Sequence, residues 1–131
     1  MFRYVVLFAV VGASVLHAGM ADVTGEWSVV AKLVAAVGKD AKAQQIELVC
    51  TFEQHDTDVG GSCRPVSGPA GIPISGAAHG EKVEWSFDIA PNENAKKERA
   101  TFRGTVGPGG SVMNGTLEFG ASHGDFHAKR Q

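Results

Sequence analysis

Cysteine is scarce in this chain. Two occur in 131 residues, Cys50 and Cys63. They form no Cys-x-x-Cys redox pair and leave no second cysteine pair for a structural zinc. An excess of charge of one sign is lacking too, since the formal net charge is −2. A surface that neutralises many phosphates needs a strong basic excess, so nucleic acid is not an expected partner. No apolar run approaches the roughly 20 residues of a membrane-spanning helix. Catalytic signatures are missing as well. Gly60-Gly61-Ser62-Cys63 departs from the Gly-x-Ser-x-Gly elbow, and no His-Glu-x-x-His occurs. Gly107-Pro108-Gly109-Gly110 is not followed by the Gly-Lys-Ser/Thr of a phosphate loop. Without a paired nucleophile and base, the chain is not expected to be an enzyme, and no cofactor is expected. What the chain does contain is 44% hydrophobic and 20% charged residues, a balance that excludes a disordered polypeptide. Its length fits one domain. The 17 glycines lack the every-third spacing of collagen.

The first residues have the layout of a secretory signal peptide. Arg3 precedes the apolar run Val5-Val6-Leu7-Phe8-Ala9-Val10-Val11, which continues to Leu16. The small-residue stretch Ala18-Gly19-Met20-Ala21 follows. Cleavage after Ala21 places Ala at −1 and Gly19 at −3, whereas cleavage after Ala18 would place the bulkier Leu16 at −3. The expected layout is therefore a signal peptide over residues 1–21 and one domain over residues 22–131, secreted or periplasmic, with no membrane span in the mature protein. In an exported chain an even cysteine count favours a disulfide.

Beyond residue 21 the hydrophobic pattern has period 2, with turn residues between the runs. Strands are expected at about 24–33, 45–54, 59–66, 72–78, 83–90, 99–106, 111–119 and 123–130. The weakest stretch is Lys32 to Gln45, an Ala-rich sequence compatible with a short helix or an extended first strand, and Gly38-Lys39-Asp40 breaks it in either case. In the second strand Ile46, Leu48, Cys50 and Phe52 share one face, and in the fifth Val83, Trp85, Phe87 and Ile89 do. The turn His55-Asp56-Thr57-Asp58 sets Cys50 opposite Cys63 and Phe52 opposite Gly61. Cβ atoms at directly opposed antiparallel positions lie about 4.5–5.5 Å apart, close to what a disulfide needs. The turn His79-Gly80-Glu81-Lys82 sets Gly76 opposite Trp85. A four-residue turn at Gly107-Pro108-Gly109-Gly110 would set Phe102 opposite Gly115. Each hairpin then lays an inward ring over an inward glycine.

Eight short strands joined by short turns favour an all-β, eight-stranded antiparallel up-and-down meander closing into a small β-barrel. Closure removes two open edges and hides one apolar face. Gly25-x-Trp27 opens the first strand and Arg130 ends the last. In these positions the chain resembles the calycins, the lipocalin-like group of small secreted barrels. That resemblance implies that Trp27 packs at one barrel end under Arg130, closing the barrel there. A guanidinium plane can stack on an indole and donate to nearby carbonyls.

The inner face carries Trp85, Phe87, Phe102, Met113, Leu117, Phe119 and Phe126. Eight strands enclose space for packed side chains or for one small guest. With no charged group pointing inward apart from Arg130 at one end, the expected partner is a small apolar or aromatic molecule. Trp85, Phe87, Phe102, Met113, Leu117 and Phe126 are the contact candidates. The alternative is a structural or protein-interaction domain with a filled core, favoured if closure between the first and last strands fails. His123-x-Asp125-x-His127 places two imidazoles and a carboxylate on one strand face. Their spacing of about 6.6–7 Å lets one ion bridge two of them more easily than three, so no metal site is expected there. His55-Asp56-Thr57-Asp58 lacks the ligand count of a calcium loop and is expected to be a plain turn. Asn114-Gly115-Thr116 is a glycosylation sequon.

Overall fold

The computed structural model describes residues 22–34, 43–66, 68, 71–90, 94 and 96–131. The expected signal peptide over residues 1–21 and the break at Gly38-Lys39-Asp40 lie outside the described residues. The strands are β1 (Gly25–Val34), β2 (Gln44–His55), β3 (Asp58–Pro65), β4 (Ile72–His79), β5 (Lys82–Ile89), β6 (Glu98–Val106), β7 (Val112–Phe119) and β8 (Ser122–Arg130). Each boundary falls within one residue of the sequence expectation. Every strand pairs antiparallel with its chain neighbour, and β1 pairs with β8, so the meander closes into a barrel.

Alternation explains the strands. In β5, Val83, Trp85 and Phe87 are buried while Lys82, Glu84 and Asp88 are exposed. In β1, Trp27, Val29, Ala31 and Leu33 are buried on the same inner side. A slip of one residue would carry either set into water, so the register is tightly specified. Of the weak stretch Lys32 to Gln45, the strand residues at its two ends are laddered, and residues 35–42 lie outside the described residues. Lys32 pairs with Gln45 on one side and Asp125 on the other.

Two of the three expected ring-over-glycine pairs are present, Phe52 opposite Gly61 and Trp85 opposite Gly76. A side chain at Gly61, whose φ is +124°, would collide with the Thr51 carbonyl. The third pair is different. Phe102 lies opposite Leu117, and Gly115 lies between Gly104 and Phe126. The β6–β7 connection is longer than a four-residue turn. Gly109 and Gly110 both have positive φ, and the ladder resumes where the Gly107 amide donates to the Val112 carbonyl at 2.8 Å. That moves the pairing by two residues and keeps the faces unchanged. Phe126, rather than Phe102, therefore packs against the glycine pair: a side chain at Gly104 would come within 2.7 Å of Phe126 Cζ.

Cys50 and Cys63 are bonded, with Cα atoms 4.0 Å apart at directly paired positions. Among the described residues none of the buried ones is polar or charged. No helix among them is long and apolar enough to cross a membrane.

Candidate functional site

The barrel has two unlike ends. At one end lie the tight turns after β2 and β4 and the longer, glycine-containing connection after β6, together with the starts of β1 and β7 and the end of β8. Here residues 22–24 fold across the opening, and Val23 is fully buried. The Val23 amide donates to Gln54 Oε1 at 3.0 Å, and the Gln54 amide donates to Thr24 Oγ1 at 3.1 Å. Trp27 Nε1 donates to the Val23 carbonyl at 2.9 Å. The Arg130 guanidinium sits 4.7 Å from the Trp27 ring centroid. It donates to the carbonyls of Gly110 at 3.1 Å, Asp22 at 2.6 Å and Thr24. The Asp22 carboxyl accepts hydrogen bonds from Thr24, which hold its pKa below the ordinary range; partial burial opposes this and Arg130 adds to it. Arg130 thus lies over Trp27 and fastens three carbonyls at this end with one side chain.

The opposite end collects the longer connections after β1, β3 and β5. Ile46, Ile72, Ile89 and Phe119 are partly buried there and pack against the core. Val66, in the connection after β3, is 54% exposed. Among the described residues, partly buried apolar groups gather at this end, whereas Arg130, Gln54 and residues 22–24 fasten the other.

Between the ends lies an aromatic cluster. The Trp85 and Phe102 rings are stacked, with centroids 4.8 Å apart and planes 3° from parallel. Phe52 meets Trp85 edge-on at 4.9 Å and Phe126 does so at 5.3 Å. Phe87 leans against Phe102 at 5.8 Å. Such pairings suit the ring quadrupoles and add to the effect of burial. The six residues expected to contact a guest, Trp85, Phe87, Phe102, Met113, Leu117 and Phe126, all lie on this inner side and are buried. Trp85 Nε1 is buried without a hydrogen-bond partner.

The His123, Asp125 and His127 side chains lie on the outer face and are exposed. His127 Nδ1 is 2.5 Å from Asn114 Oδ1, which makes the ring nitrogen the donor. Among the described residues no group of three His, Cys, Asp or Glu side chains is placed to hold a metal ion.

Three features escaped sequence reasoning. One is the part of residues 22–24 and Gln54 in closing the first end. Another is the apolar rim at the second. The third is an outer groove of about 790 Å³ over β4–β7, lined by residues including Ser75, Glu84, Ser86, Arg103, Thr105 and Asn114. Beside it Arg103 bridges Glu84 at 3.1 Å and Glu118 at 3.4 Å. Strand parity puts these groups outside, but parity carries no signal for curvature. What the described residues define is a closed antiparallel eight-stranded barrel with one fastened end and one apolar-rimmed end. No protein-family model matches the chain, and neither does the sequence of any curated protein.

Proposed function

We propose that this chain is an exported, calycin-like barrel that binds one small apolar or aromatic molecule at its apolar-rimmed end. The observation that carries this reading is the partly buried set Ile46, Ile72, Ile89 and Phe119, which leads onto the rings of Phe87 and Trp85. Partly exposed apolar groups gathered at one end of a barrel are costly in water and are characteristic of ligand sites. The stacking of Arg130 on Trp27 supports the calycin likeness. The Cys50–Cys63 disulfide supports an oxidising compartment, in keeping with the signal-like residues 1–21.

Titration with N-phenylnaphthylamine tests this reading. Tryptophan fluorescence should fall saturably at one probe per chain. Phe119→Asp, at the rim, should weaken the probe at least about tenfold while leaving the barrel folded. Quenching that never saturates, or that Phe119→Asp leaves unchanged, overturns the reading.

A second reading, a structural or interaction domain with a filled core, draws on the close packing of Phe52, Trp85, Phe102 and Phe126. Under it, native mass spectrometry of the protein from its own host shows no bound small molecule, and crosslinking captures an assembly.

A further inference from the structure

We propose that the guest carries a hydrogen-bond acceptor on an otherwise apolar, aromatic-sized body, such as an aryl ketone, and that Trp85 Nε1 donates to it. This rests on the binding reading above and specifies the chemistry of its ligand.

The two tryptophans of this chain make the case. Both are fully buried. Trp27 Nε1 donates to the Val23 carbonyl at 2.9 Å. Trp85 Nε1 has no partner, and it is the one buried side-chain nitrogen or oxygen among the described residues in that position. Buried donors are almost always paired, because an unpaired one forfeits its bonds to water and gains nothing in return. Its ring neighbours Phe52, Phe102 and Phe126 hold no oxygen or nitrogen in their side chains. No buried polar residue among those described could turn to meet it. Phenylalanine at position 85 would keep a stacked ring on Phe102 without burying an unpaired N–H. A local rule broken in the middle of an otherwise consistent core is where function is to be sought.

The route to this donor runs along β5. Ile89 stands at the rim, Phe87 is the next inward residue, and Trp85 follows. Phe87 keeps 8% of its surface exposed while Trp85 keeps none. A guest seated at the rim reaches the indole by moving the Phe87 ring aside. An aromatic body then takes over ring contacts of the kind Phe87 makes with Phe102, and its carbonyl oxygen accepts from Nε1. A hydrocarbon of the same shape would fill the same space and leave the N–H unpaired.

Acetophenone and cumene form a matched pair of probes, with the same heavy-atom skeleton and a carbonyl oxygen in place of a methyl group. In the full-length processed protein, the indole N–H resonance of Trp85 should move downfield with acetophenone and not with cumene. Trp85→Phe should weaken acetophenone about tenfold, equivalent to about 1.4 kcal/mol, and leave cumene unchanged. If Trp85→Phe does not fold, the resonance in the unaltered protein decides. Binding of both probes with the same resonance shift, or equal weakening of both by Trp85→Phe, overturns acceptor recognition and leaves the apolar-binding reading intact. Binding of neither probe defeats that reading and this inference together.

Discussion

Trp27 and Arg130 are direct cross-strand partners on the first and last strands, and the guanidinium lies over the indole it pairs with. The same guanidinium holds three main-chain carbonyls, two of them in the segment that crosses the barrel end. Arg130→Ala should therefore cost about 2 kcal/mol in urea unfolding. Arg130→Lys should recover less than half of that, because an ammonium has neither the planar face nor the fork. Unchanged stability in Arg130→Ala would show that the contacts are incidental.

The Cys50–Cys63 bond closes a short loop across one hairpin. Replacing both cysteines by alanine should lower stability by about 3 kcal/mol through the greater freedom of the unfolded chain. Denaturant midpoints measured for the oxidised protein and for Cys50→Ala/Cys63→Ala check this. Equal midpoints would contradict it.

Gly61 combines a φ of +124° with a Cβ direction that runs into the Thr51 carbonyl. Gly61→Ala must therefore shift the β2–β3 ladder beside the disulfide. The expected cost is about 1–3 kcal/mol, read as a lower melting temperature. Gly60→Ala is the control, since a Cβ there meets nothing within 4 Å.

Acid should loosen the fastened end. The Asp22 carboxyl has a lowered pKa in the folded chain, chiefly through hydrogen bonds from Thr24. The stability it contributes is present above the unfolded value of about 3.9 and is lost as pH falls through the lower folded value. Asp88, lowered by its hydrogen bond from Arg99, acts with the same sign at the surface. Stability measured from neutral pH downward should fall less steeply in Asp22→Asn than in the unaltered protein. Superimposable curves would remove Asp22 from the account.

Strand order, inner face and two hairpin registers were legible because alternation and turn length are local properties of the chain. Ile46, Leu48, Cys50 and Phe52 announce their face by spacing alone, and the His55–Asp58 turn then places Cys50 on Cys63. The Gly107–Gly110 turn misled because two consecutive positive-φ glycines widen a loop without any change in hydrophobic pattern. The contact of Arg130 with Trp27 was legible through a resemblance. The carbonyls it binds were not, since residues 22–24 look like an ordinary lead-in to a strand. The unpaired Trp85 N–H could not be read either: a tryptophan in an alternating run reveals its face and not what surrounds its nitrogen.

Closure of the barrel through β1 and β8 ties the start of the folded domain to its finish. During synthesis Gly25–Val34 has a neighbour on one side only until its other neighbour, Ser122–Arg130, the eighth strand of the barrel, has been made. The complete hydrogen-bond circuit must wait for the eighth strand, and a chain cut short before Ser122 would keep its leading strand as an exposed, adhesive edge.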